Sequence, residues 1–242
     1  MLETHLLGFQ AIRGPRVSLL RRAPEHAKFL RDCWDDKDFM ALYRLAQNRR
    51  EGIAQIRKRL AREYKKLPKD LRKFEWVIER NATPSQEARL IGLAAIADYQ
   101  PSHQRGEFLI GILDPEEQKT GVGLEASLLV LDFAFNVVKL HKFMSFVYGH
   151  NQASQNNTQH LGFIQEALLR EHIYYQSHGY VDMYQNGMLE SDFRGNRRLS
   201  RLSRRILKRD ITQEVPEPKV LPDDYLKQAE QQFKAALQKN TA

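Results

Sequence analysis

Two periodicities divide the chain. Residues 17–22 alternate as a strand does after Gly14-Pro15, whereas residues 24–34 and 38–46 carry apolar side chains at helical spacing. Pro24 suits a first helical turn, where a missing N–H has no partner to lose. Ile53, Ile56, Leu60 and Tyr64 recur at helical intervals, and residues 74–79 and 90–98 read as strands separated by a loop around Pro84. After a second loop at residues 101–106, the apolar run 108–113 predicts another strand, which breaks at Asp114-Pro115. Leu124, Leu128, Leu131, Phe135 and Val138 then line one face of a helix. Residues 143–148 predict a strand, and residues 152–160 a short helix that stops at Gly162. Residues 164–175 and 181–189 complete the series as two strands around a Ser177-His178-Gly179 turn. Early helices, a strand-rich middle and two interrupting helices make the expected class α/β (α+β), with a mixed sheet flanked by helices.

Beyond residue 190 the character changes. Leu199, Leu202 and Ile206 stripe a basic helix, and Pro216, Pro218 and Pro222 mark a stiff linker. Asp223 can cap a last helix bearing Tyr225, Ala229, Phe233 and Leu237. The expected organisation is therefore a domain over residues 14–190 and an extension over 191–242, with no internal repeat.

Composition narrows the classes. At 242 residues, with 42% hydrophobic and 28% charged residues, the chain is an ordinary globular one. No apolar run approaches the roughly 20 residues that cross a bilayer, and the N-terminus lacks a cationic-then-apolar signal, so a cytoplasmic location is expected. A lone Cys33 leaves no disulfide framework and no Cys-rich zinc site, and no metal is expected. The net charge of +8 has one source: eight basic residues and no acid lie between Arg194 and Arg209, and the remainder balances at 30 basic against 30 acidic. A second block, residues 49–73, holds eleven basic and three acidic residues, which its helical spacing assigns to a solvated face. Two basic surfaces suit anionic partners.

Candidate chemistry lies between residues 106 and 140, where a strand, a glycine-bearing loop (Gln118, Lys119, Thr120, Gly121, Val122, Gly123) and a helix follow in that order. The first N–H groups of a helix have no partner within it and carry the positive end of its dipole, so a pyrophosphate is the natural guest. A Walker loop is excluded, because Lys119-Thr120 precedes the glycines. Gly121-x-Gly123-x-x-Ala126 fits the dinucleotide pattern formally but lacks the acid about 20 residues later that would hold a ribose. Gln118-x-x-Gly121-x-Gly123 resembles the acetyl-coenzyme A loop of the GNAT superfamily of N-acetyltransferases. Asn151-Gln152-Ala153-Ser154 with Leu161-Gly162-Phe163, the 166–170 segment with Ala167 in place of a glycine, and Gly179 to Tyr184 resemble the ribosomal-protein N-terminal acetyltransferase (Rim-type) branch. The resemblance covers residues 14–189.

The resemblance implies a GNAT-like twisted, mainly antiparallel sheet, and direct transfer of acetyl from acetyl-coenzyme A to a primary amine. It assigns residues 118–123 to the pyrophosphate, Asn151 and Ser154 to the pantetheine side, and the free strand edge Gly111, Ile112 and Leu113 to the arm itself. An N–H near Gly111 or Ile112 would polarise the thioester carbonyl. The family's acid tyrosine falls on Thr158 here, which leaves Ser154 as candidate acid, with N-cap of its helix as the alternative role. Glu107 and His172 are candidate bases, with a water-mediated base as a further choice, because the related branch has a carboxylate near the position of Ile173.

By resemblance the acceptor is a protein N-terminal amine, and a small amine such as an amino sugar, a polyamine or an antibiotic is the alternative. A function of another class is nucleic-acid or ribosome binding through Arg194–Arg209. The apolar stripe of that helix also allows an anionic membrane surface, and a homodimer is compatible with either.

Overall fold

Residues 74–78 alternate between two buried layers: Phe74, Trp76 and Ile78 enter one cluster and Val77 another. An extended chain covered on both faces requires this. The computed structural model describes residues 9–44, 51–66, 70–175 and 179–214, with residues 230, 231 and 234 beyond them. Its strands are β1 (Ala11–Arg13), β2 (Val17–Arg21), β3 (Phe74–Arg80), β4 (Arg89–Gln100), β5 (Arg105–Ile112), β6 (Lys142–Tyr148), β7 (Ile164–Tyr175) and β8 (Gly179–Leu189). They form one eight-stranded sheet in the order β1-β2-β3-β4-β5-β6-β8-β7. Among the described residues only the β5–β6 pair is parallel.

Helices cover both faces. On one side α1 (Ala27–Asp35), α2 (Lys37–Tyr43) and α3 (Ile53–Tyr64) set Leu30, Trp34, Phe39, Ile56 and Leu60 against Val77 and Leu93. Arg57, Lys58 and Arg62 of α3 are exposed on a solvated face, whereas Arg59 turns inward over the Trp34 ring. On the other side α4 (Val122–Asp132) is buried nearly all round, not along the single stripe its spacing suggested. The reason is a second cover: after α5 (Gln152–Leu161), the helices α6 (Glu190–Gly195) and α7 (Arg197–Leu207) send Phe193, Leu199 and Leu207 into the same cluster as α4. The change of composition at residue 190 is therefore not accompanied by a break in the core. Phe193 stacks on Phe135 with ring centroids 4.4 Å apart. Phe135 lies in a π turn, Phe133–Val137, that ends the long helix one residue wider than an α-turn.

Several expectations are adjusted. Strand β1 had no signal, since only Ile12 in it is large and apolar; the turn closed by the Gly14 N–H on Val17 O (2.8 Å) pairs it with β2. Residues 24–34 begin as a 3₁₀ turn, Pro24–His26, before α1. Strands β4 and β5 extend to Gln100 and back to Arg105, because Gln104 takes a left-handed conformation (φ 47°) that turns the chain within four residues. Leu45, Ala46, Ser177 and His178 lie outside the described residues, as do Pro216, Pro218, Pro222, the Asp223 cap and the positions Tyr225, Ala229, Phe233 and Leu237 of the last expected helix. No helix among the described residues is long and apolar enough to cross a membrane.

If α6 and α7 belong to the core, truncating a fully buried ring there must be felt globally. Phe193→Ala is expected to lower unfolding free energy by about 3 kcal/mol, read from chemical denaturation as one cooperative transition. A loss below about 1 kcal/mol, typical of a surface change, would mean that these helices are an appendage.

Candidate active site

A parallel pair at the centre of an antiparallel sheet sets the geometry. Strands β5 and β6 pair only through Arg105–Lys142, Gly106–Phe143 and Glu107–Met144. Beyond this root β5 stays with β4 and β6 stays with β8, so the two part toward their C-terminal ends. The register shows which amides are freed. Leu113 donates to Ile91 O (2.8 Å), which makes 91–113 and 93–111 hydrogen-bonded pairs and turns the main chain of Gly111 and Leu113 toward β4. The intervening Ile110 and Ile112 face the gap. Of the expected edge Gly111, Ile112 and Leu113, it is Ile112 that offers its N–H there.

Gly111 serves the other face. A Cβ at this position would lie 2.8 Å from both the Phe39 and the Tyr43 rings, which stack on one another with centroids 5.2 Å apart. The absence of a side chain lets α2 rest directly on β5. Burial pushes the Tyr43 hydroxyl up to about 12, so it stays protonated.

The loop after β5 is held open by its neighbours. Gly121 adopts φ 82° and opens α4, leaving the Val122, Gly123 and Leu124 N–H groups without a partner inside the helix. Arg16 binds the carbonyls on the opposite side of the turn, Thr120 O at 2.9 Å and Gly121 O at 3.1 Å. The same guanidinium reaches the Glu125 carboxylate at 2.8 Å, and Glu125, fully buried, also accepts the Arg16 and Val17 N–H groups at 2.7 and 3.1 Å. Gln118 donates to Ile112 O (3.1 Å), fastening the loop to the strand end, while Lys119 stays exposed. The Thr120 hydroxyl donates to Glu117 O (2.9 Å), and Glu117 pairs with Arg89 at 2.9 Å. Amides pointing outward from a turn whose carbonyls are tied back fit a pyrophosphate. Arg16 and Glu125 escaped the sequence reading; the available signal was an isolated acid in the apolar run 124–131, which cannot be buried without a partner.

At the end of β6, Asn151 caps α5 by accepting the Ser154 N–H at 3.1 Å. Ser154 is thus not the N-cap; it sits in the first turn of α5, half-buried, after the strand that borders the gap. Thr158 is buried against the sheet. Glu107 lies at the root of the gap on the α2 face, 9% exposed, with Arg44 3.4 Å away. Burial raises its pKa, Arg44 pulls it back and Asp98 raises it further. The structure does not bring His172 to this set: it is exposed on β7, the outermost strand and third in order from β5.

Residues 16–164 match the family described as acetyltransferase (GNAT) domain. The chain belongs to the GNAT acetyltransferases. Relatives include the uncharacterized N-acetyltransferase YoaA of Bacillus subtilis (strain 168), 24% identical over 69% of this chain and 89% of YoaA. The spermidine N(1)-acetyltransferase of Vibrio cholerae is 28% identical over 44% of this chain and 61% of its own length. Among solved structures, the spermidine N-acetyltransferase of Vibrio cholerae in complex with CoA and spermine superposes with a TM-score of 0.63 at 22% identity, covering 73% of this chain and 97% of that one. As a GNAT enzyme the chain is an N-acetyltransferase that uses acetyl-coenzyme A as co-substrate.

The loop geometry makes a direct test. Gly121→Glu places a side chain in a left-handed conformation and a carboxylate beside the amides, and is expected to weaken coenzyme A binding about a hundredfold or more by calorimetry. Unaltered binding would mean that the pyrophosphate lies elsewhere.

Proposed function

We propose that this GNAT enzyme acetylates a primary amine of a small, slender cation of the polyamine class. The observation that carries this reading is Glu107: a buried carboxylate on the face of β5 that α2 covers, at the root of the strand's opened edge, with Arg44 3.4 Å away. A buried negative charge suits an alkylammonium group, which can share the carboxylate with Arg44. The spermidine N-acetyltransferases of Vibrio cholerae among the relatives support the same substrate class.

Acetyl-coenzyme A supplies the activated acetyl group as a thioester. The Ile112 N–H is the donor for the carbonyl oxygen on which charge develops, and the amides of residues 121–124, with Gln118, Lys119 and Thr120 around them, are the pyrophosphate seat. Asn151 holds the first turn of α5 so that the Ser154 hydroxyl can give a proton to the leaving sulfur. Glu107 lies five residues from Ile112 along β5, about 16 Å away, so it takes the proton from the bound ammonium through a chain of water and not directly. An aliphatic ammonium near pKa ~10.4 needs such a base near neutral pH, and a carboxylate whose pKa burial has raised is a stronger base than an exposed one.

The Asn151-x-x-Ser154 and Leu161-Gly162-Phe163 pattern favours the rival reading, a Rim-type branch member acting on a protein N-terminal amine, whose pKa near ~8 asks less of a base. Self-association is part of the proposal: β7 is an edge strand with Ile164 58% and Leu168 46% exposed, a surface that a second copy can cover.

Release of free thiol with spermidine, spermine, an amino sugar and N-terminal peptides decides between the acceptors; polyamines are expected to turn over fastest. Glu107→Gln is expected to cut kcat about a hundredfold while sparing coenzyme affinity. A base works deprotonated, so wild-type kcat/KM falls as pH drops through the raised Glu107 pKa, and this acid limb should vanish in the variant. Preference for peptides would sink the polyamine assignment, and a wild-type rate for Glu107→Gln would remove Glu107 as base.

A further inference from the structure

Outside the acetyl-transfer site, an arginine-rich cleft lies between α7 and the turn that follows it. A cleft of about 320 Å³ is lined by Arg194, Asn196, Arg197, Ser200, Arg201 and Arg204, with Gly195, Thr212 and Gln213 closing it, and no carboxylate belongs to the lining. We propose that this cleft is a second anion site, which takes the phosphate groups of a small polyphosphate.

Two of its arginines are fixed in place. Arg194 donates to Asn136 Oδ1 (2.7 Å), Thr212 O (3.3 Å) and Phe135 O (3.4 Å), and pairs with Glu190. Arg204 is held by Asp210 at 2.8 Å, and Asp210 is itself anchored by the hydroxyls of Ser200 and Thr212. Burial would raise the Asp210 pKa, yet these hydrogen bonds outweigh it and lower the value to about 2, so the anchor stays charged. Arg197 and Arg201, one turn apart on the same face of α7, make no ion pair among the described residues. Four guanidinium groups against Glu190 and Asp210 leave an excess of two positive charges. Guanidinium forks match phosphate oxygens in pairs, which favours a polyphosphate over a carboxylate or a halide.

The cleft is not the coenzyme seat. Arg194 meets Asn136, and Arg209 meets Asp132, at the C-terminal end of the helix that begins at Gly121. Fifteen residues of that helix separate the two sites by about 20 Å. The cleft is built from residues 194–213, past the 16–164 segment that defines the family match. Its lining contains no aromatic side chain on which a base could stack, which favours a small polyphosphate over a nucleic-acid strand.

The test uses the full chain in low salt, titrated calorimetrically with tripolyphosphate and with ATP, in the presence and absence of coenzyme A. One equivalent is expected to bind under both conditions. The Arg197→Ala/Arg201→Ala double variant is expected to bind about tenfold more weakly, or worse, with coenzyme affinity unchanged. Equal affinities for the two titrants would assign the site to phosphate alone, and tighter ATP binding would assign it to a nucleotide; both support it. The proposal is overturned by absence of binding, by an unaffected double variant, by loss of binding when coenzyme A is added, or by tight binding of single-stranded RNA that tripolyphosphate does not displace.

Discussion

The carboxylate of Glu125 is the constraint on which the site depends. It is fully buried in the first half of a mainly apolar helix, and it must be answered by donors. Those donors are the Arg16 and Val17 amides and the Arg16 guanidinium, all from the turn between β1 and β2. Because the guanidinium also binds the carbonyls of Thr120 and Gly121, one ion pair joins the turn before β2 to the loop at residue 121. Gly14 is part of the same fit, since a Cβ there would lie 2.7 Å from the carboxylate.

A second constraint acts within the sheet. A parallel pair inserted between antiparallel neighbours can be abandoned after three residues without orphaning the outer edges, since β4 and β8 keep their own bonds to β5 and β6. Hydrogen-bonding groups are thereby exposed at a defined place, at the C-terminal ends of both strands, where the loops carrying Gly121 and Asn151 also begin. Alternation then divides the tasks. Ile112 turns its main chain to the gap, while Glu107 and Gly111 present the opposite face to α2.

The basic segment after residue 190 illustrates how one helix can serve two ends. Leu199 and Leu207 complete the layer over α4, and Arg197, Arg201 and Arg204 line a cleft on the outer side. The wider π turn at Phe133–Val137 places Asn136 and the Phe135 carbonyl where Arg194 can bind them, so the core and the charged surface share their anchors.

Local signals in the sequence determined most of the elements, the mixed sheet and the loop Gln118 to Gly123, because periodicity, proline and glycine report the nearby backbone directly. They could not determine β1, whose existence rests on pairing, nor the Ser154 N-cap alternative, which failed because Asn151 three residues earlier takes that bond. Whether Gly111 or Ile112 faces the gap is a question of register, and whether His172 meets Glu107 is a question of strand order. The partnership of Glu125 with Arg16 spans 109 residues. Interactions of that kind belong to the tertiary structure alone, since no spacing along the chain encodes which distant donor will answer a buried charge.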